Sequence, residues 1–198
     1  MSRRSLLRGI GRGLVGLGLA APFLLGVLSP AAADEPGGFN IRTAYTELVS
    51  GVYYLNADVD LNLSDQAISA LENGLPLTVE LQLEIIKHRS FVWNKKVATL
   101  TQSYQISFHA LTRRFIITNL NSGDQQSFAS YRDAITSLGQ VNDLPLIDAN
   151  LLEPDAHYTV RMRAVLDIKD FPGPMQLIAS LFKGWDLTSD WYEWTLSS

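Results

Sequence analysis

Apolar and polar residues alternate with a period of two through most of this 198-residue chain, and no other feature restricts its fold as strongly. Successive side chains of a strand point to opposite faces, so the pattern describes strands with one buried and one wetted side. Residues 39–49 place Phe39, Ile41, Tyr45 and Val49 on one side. Residues 52–63 place Tyr53, Leu55, Ala57, Val59, Leu61 and Leu63 opposite Tyr54, Asn56, Asp58, Asp60 and Asn62. Residues 77–85 bury Leu77, Val79, Leu81, Leu83 and Ile85 and expose Thr78, Glu80, Gln82 and Glu84. Residues 98–108 bury Leu100, Tyr104, Ile106 and Phe108, and residues 114–120 form a further strand. Residues 158–168 alternate Tyr158, Val160, Met162, Ala164, Leu166 and Ile168 with a face bearing Arg161, Arg163, Asp167 and Lys169. A last strand falls near residues 192–196.

Helices interrupt this pattern twice. Ser64 is placed to cap a helix carrying Ala67, Ile68 and Leu71, stopped by Asn73-Gly74. Ser130 with Asp133 three residues on gives a capping pattern for a second helix with Ala134, Ile135 and Leu138, ended by Gly139. A third apolar turn, residues 175–182, follows Pro172-Gly173-Pro174. Strands and helices do not alternate regularly, which argues against a parallel α/β sheet. About seven antiparallel strands, each with a polar face, predict a mainly β fold: an antiparallel β-sandwich with two or three short helices.

The composition changes abruptly at residue 33. Residues 1–12 carry Arg3, Arg4, Arg8 and Arg12 and no acid, residues 13–33 carry no charge, and Ala31-Ala32-Ala33 precedes Asp34. A basic, then apolar, then small-residue order makes a cleavable secretory signal peptide, cut between Ala33 and Asp34. The expected organisation is a signal peptide at 1–33, a flexible lead-in at 34–38 and a single β-sandwich domain at 39–198. The competing reading is an uncleaved anchor, since about 20 apolar residues can span a bilayer; Pro22, Pro30 and the many glycines weaken that helix. Ser2-Arg3-Arg4-Ser5-Leu6-Leu7-Arg8 resembles the twin-arginine export pattern, although the general-secretion route is favoured. Either route predicts the periplasm or cell envelope. Gly11 to Gly16 spells G-x-G-x-x-G, but between an arginine-rich tail and a discarded segment it makes no dinucleotide site.

The rest of the chain offers little catalytic chemistry. With no cysteine there are no disulfides, thiol nucleophiles or thiolate metal sites. His88, His109 and His157 are widely separated, so paired-histidine zinc patterns are missing, as is the G-x-S-x-G elbow. His109 and His157 read as solvated positions. Asp58, Asp60 and Asn62 briefly resemble a calcium loop, but Leu63 and Ser69 occupy the glycine and glutamate positions such a loop requires. The acids near the end of the chain, Asp186, Asp190 and Glu193, give no acid/base pair. No catalytic, cofactor-binding or metal-ligating residue is assigned, and no cofactor is expected. A net charge of −4 also argues against a nucleic-acid surface.

One segment does concentrate charge and aromatic surface. Residues 87–96 join two strongly alternating strands and gather Lys87, Arg89, Lys95 and Lys96 around Phe91, Val92 and Trp93. The four cations stand out because a chain cut after Ala33 loses four of its sixteen basic residues and none of its twenty acids, leaving a net charge of −8. Basic residues beside aromatics suit an anionic membrane surface, a protein-interface rim or an acidic ligand. In the alternative, Phe91 and Trp93 fold back onto the sandwich and the cations serve solubility. Trp185, Trp191 and Trp194 form a second aromatic group, a candidate surface that equally closes the open end of a small β core.

Several segments together resemble a proteobacterial exported family, the domain of unknown function family 4390. They are the run from Tyr104 to Phe115, Leu75-Pro76-Leu77-Thr78, Ser127-Phe128 before the second helix, and Ser189-Asp190-Trp191-Tyr192-Glu193-Trp194. The resemblance implies an envelope location and a gene neighbourhood beside a nitrogen-regulation-type sensor kinase. It implies no activity, cofactor or catalytic residue. The leading expectation is a non-enzymatic envelope interaction module, accessory to an inner-membrane sensor, with an envelope protein or the membrane periphery as partner. The alternatives are a periplasmic carrier of a small or lipidic ligand, and a hydrolase whose site assembles only in the fold.

Overall fold

The computed structural model describes residues 37–168, 173 and 183–196. The expected signal peptide at 1–33, its expected cleavage point between Ala33 and Asp34, and the expected turn at 175–182 lie outside the described residues. The elements run in the order β1 (Gly38–Val49), β2 (Val52–Asn62), α1 (Asp65–Glu72), β3 (Leu77–Lys87), β4 (Lys95–His109), β5 (Arg114–Asn119), β6 (Gln125–Phe128), α2 (Tyr131–Gly139), β7 (Gln140–Asp148), β8 (Tyr158–Asp167) and β9 (Tyr192–Thr195). Two antiparallel sheets result, one ordered β1-β2-β7 and the other β6-β5-β4-β3-β8-β9. The expected sandwich is therefore present, with nine strands among the described residues rather than about seven.

Alternation explains the central strands. In β2, Tyr53, Leu55, Ala57, Val59 and Leu61 are buried. In β3, Leu77, Val79, Leu81, Leu83 and Ile85 are buried, and in β8 Tyr158, Val160, Met162, Ala164 and Leu166 are. The inner faces of both sheets share one core, in which Leu55, Leu81, Leu83, Ile106 and Met162 have almost no solvent contact. Burying one such side chain contributes about 1.5–3 kcal/mol, so the core supplies the main driving force in a chain without disulfides. Thr78 departs from its expected exposure: it lies on the outer side of β3 by alternation, yet it is buried.

β1 corrects the expected pattern. The pairing of β1 with β2 slips between Ile41 and Thr43, a bulge that places one extra residue, Arg42, in β1. Beyond the bulge the two faces exchange. Ala44 is 6% exposed, whereas Tyr45 and Val49 are each 50% exposed. β6 and β7 carry no clear alternation. β6 is four residues at a sheet edge. β7 is interrupted by Asp143 at φ 49° and by Pro145, which an edge strand tolerates because its N–H side can face away from the ladder.

Both helices are capped as expected. Ser64 Oγ accepts a hydrogen bond from the Ala67 N–H (3.2 Å) and donates one to the Gly184 carbonyl (2.6 Å). α1 ends in a Schellman closure, with Gly74 N–H donating to Leu71 O and Leu75 N–H to Ala70 O while Gly74 holds φ 91°. Ser130 Oγ accepts from the Asp133 N–H (3.1 Å). α2 ends at Gly139 as expected, and this glycine has a packing role besides. A Cβ at Gly139 would stand 2.2 Å from the Val59 carbonyl oxygen, so this glycine lets α2 press against β2, and the chain then turns extended at Gln140.

Candidate functional site

The three histidines do not assemble a catalytic group. His109 Nδ1 lies 3.1 Å from Thr112 Oγ1 at the β4–β5 turn, and His157 is exposed where β8 begins. His88 Nε2 lies 2.6 Å from Thr159 Oγ1, and the His88 N–H donates to the His157 carbonyl at 2.9 Å. Among the described residues no three acidic or histidine side chains converge as metal donors. The calcium-like run has its own internal cation: Arg42, on the β1 bulge, reaches Asp60 at 3.1 Å and Asp58 at 3.5 Å.

The terminal tryptophans divide between core and surface. Trp185 is buried beside the core with Leu187, so it is no part of an aromatic surface. Trp194 is half-buried and donates from Nε1 to Thr46 Oγ1 at 3.3 Å, tying β9 to β1 across the sandwich. Trp191 lies on the outer face between two guanidinium groups, Arg161 at 4.4 Å and Arg163 at 4.6 Å from its ring. Arg161 also bonds Glu84 (Nε 2.8 Å) and approaches Glu193 at 3.8 Å, while Lys96 pairs with Glu84 from the other side. Burial alone would raise the Glu84 carboxyl. The hydrogen bonds from Lys96 and Arg161 outweigh it and hold the group below its ordinary 4.5. This network links β4, β3, β8 and β9 and reads as a brace across the sheet.

The β3–β4 hairpin is where exposed apolar surface concentrates. The strands pair out to Lys87 and Lys95, with a bulge after Ile85, and residues 88–94 form the tip. Phe91 is 99% exposed, Trp93 95% and Val92 62%. The expectation that these aromatics fold back onto the sandwich is overturned: β3 and β4 carry the tip beyond any surface it could pack on. The His88 bonds to β8 hold its base. Lys87 pairs with Glu153, holding that carboxyl below its ordinary range, and Lys96 pairs with Glu84. Among the described residues Arg89 and Lys95 make no ion pair within 4.0 Å.

Other exposed apolar residues share this end. β1 finishes at Leu48 and Val49, followed by a two-residue turn at Ser50 (φ 52°) and Gly51 (φ 84°). β7 finishes opposite that turn, where Val52 pairs with Asp148 and the Ala149 N–H donates to the Gly51 carbonyl. Leu151 then stands 76% exposed. A second core cluster of Ile85, Tyr158 and Val160, with Leu146, Ile147 and Leu152 against it, holds the ends of β3, β7 and β8 together. Sequence reasoning found the hairpin but not Leu48, Val49 or Leu151, because only the pairing brings them to it. Leu111, at the β4–β5 turn, is equally exposed but lies at the opposite end.

Open clefts mark the surface among the described residues, these three among them. One of about 720 Å³ at the hairpin end is lined by Tyr53, Leu152, Glu153, His157, Tyr158 and Leu196 among others. Another of about 540 Å³ contains Arg42, Asp58, Asp60, Arg132 and Gln140, beside Tyr131, whose hydroxyl burial pushes up to about 12. The third, about 340 Å³, opens between β5 and β7 over Tyr104, Ile117 and Leu144, with Asn119, Asp124 and Asp143 at its rim. Polar side chains line all three.

Comparison with curated proteins and with solved structures finds no match. The model of one family, described as a domain of unknown function (DUF4390), matches residues 37–195, which takes in every strand from β1 to β9. The chain belongs to that family.

Proposed function

We propose that this protein is an exported, non-enzymatic module of the cell envelope that acts by contact, presenting the hairpin end to a surface there. The observation that carries the reading is the near-complete exposure of Phe91 and Trp93 at the tip of a well-paired hairpin. Exposed large aromatics cost solubility, and a contiguous apolar patch with a polar rim is the ordinary mark of an interaction site. A hydrolase would need a nucleophile, a base and an orienting group in reach of one another; the His88–Thr159 and His109–Thr112 pairs place a hydroxyl beside an imidazole, but among the described residues no carboxylate is bonded to either histidine to orient it. A carrier would need an enclosed, mainly apolar pocket, and these clefts among the described residues are open and carry polar side chains in their walls.

Cell fractionation tests the reading. The unaltered protein is expected to sediment with the envelope, and the double variant Phe91→Ser/Trp93→Ser to move to the soluble fraction with its melting temperature unchanged. Leu111→Ser, which removes an equally exposed apolar residue at the opposite end, should leave the distribution as it was. Recruitment that survives the tip variant would refute the proposal.

A further inference from the structure

We infer that the surface met by the hairpin end is an anionic phospholipid bilayer, an inference that rests on the contact reading above and names its partner. The shape of the end supports it first. Phe91, Val92 and Trp93 form a convex apex, with Arg89 and Lys95 two residues to either side of the Phe91–Trp93 run. Trp is favoured at the depth of lipid headgroups, and Lys or Arg just behind it meets the phosphates. An apex of this kind enters a fluid interface without needing a matching pocket.

Charge supports it second. Residues 34–198 carry twelve cations against twenty acids, yet four of those cations lie within ten residues of one hairpin. An anionic surface therefore repels the body and attracts the tip, which orients the domain as it approaches. The third support is the flanking apolar set. Leu48, Val49 and Leu151 stand exposed at the same end, so the hairpin is one contact of a broader landing face.

Glu153 restrains this surface. Its carboxylate pairs with Lys87, the cation at the base of the hairpin, and occupies a charge that would otherwise face the phosphates. Replacing Glu153 should therefore strengthen binding, an outcome that a merely structural role for the tip does not give.

The experiment uses the compact unit Asp34–Ser198, which contains every described core residue, with vesicles of phosphatidylglycerol and phosphatidylcholine or of phosphatidylcholine alone. Sedimentation should show binding to the anionic vesicles that falls as salt rises. Phe91→Ser/Trp93→Ser should weaken it by about tenfold or more, and Arg89→Gln/Lys95→Gln by a few-fold. Glu153→Gln should strengthen it by a few-fold. Brominated lipid should quench part of the tryptophan emission, and Trp93→Phe should abolish that quenching, which identifies Trp93 among the four tryptophans. Failure of the unaltered protein to bind anionic vesicles, or binding that ignores the tip variants, would overturn the inference. If vesicles are not bound but envelope recruitment still depends on the tip, the partner is a protein: the lipid falls and the contact reading stands. If recruitment does not depend on the tip, the contact reading falls as well.

Discussion

At the scale of single residues, the outer face of the large sheet gains stability from charge held in place. Glu84 is mostly shielded, with its side chain 13% exposed, and is bonded by both Lys96 and Arg161. Its folded-state affinity for a proton is depressed, so its contribution is fully present above about the ordinary value of 4.5 and is lost as pH falls through the lower folded value. Glu84→Gln should therefore cost about 1–3 kcal/mol at neutral pH, from hydrogen bonds to charged groups. That difference should shrink well below 4.5, where both proteins carry a neutral group. Urea unfolding at the two conditions measures it, and a pH-independent difference would refute the argument. Alternation in the sequence placed Glu84 outward correctly. It could not show that Arg161, 77 residues away, reaches it, nor that Thr78 on the same face is buried. Those facts depend on which strand lies alongside β3.

At the scale of elements, the bulge in β1 decides which side chains enter the core. A strict period of two carries Tyr45 and Val49 inward, and one extra residue at Arg42 sends Ala44 inward instead. Ala44→Asp should cost at least about 3 kcal/mol, because it buries a charge without a partner. Tyr45→Asp, on the adjoining exposed position, should cost under about 1 kcal/mol. Thermal unfolding of the pair tests the bulge directly, since a regular strand predicts the reverse order. The elements that sequence reasoning located are those whose cause is local: central strands buried along one face, and helices opened by Ser64 and Ser130. β6 and β7 escaped it because edge strands need not alternate. Gln125–Phe128 is mostly polar, and Asp143 and Pro145 interrupt the other.

At the scale of the whole molecule, the direction of β1 sets where the two ends of the domain lie. Gly38 pairs with Asn62, while Val49 pairs with Val52 beside the hairpin end, so the chain enters the domain at the end remote from Phe91 and Trp93. Twelve strand residues span about 40 Å, so that end stands well away from the tip. The chain has no cysteine, so Ser90→Cys places a unique reporter thiol at the tip. If the hairpin end docks on anionic vesicles as proposed, they should protect that thiol from a membrane-impermeant maleimide, whereas the thiol of Leu111→Cys, at the opposite end, should label readily. Equal protection in both would contradict this polarity. What the sequence determined by itself is what short range controls: the strand period, the helix caps, the run of arginines in residues 1–12, and the gathering of cations and aromatics at one turn. Tertiary structure alone decided the bulge phase, the Glu84 brace, the burial of Trp185 beside the exposure of Phe91 and Trp93, and the convergence of Leu48, Val49 and Leu151 on the same end. The physical reason is that alternation follows from the pleat of one strand, whereas exposure and convergence follow from pairings between strands far apart in the chain.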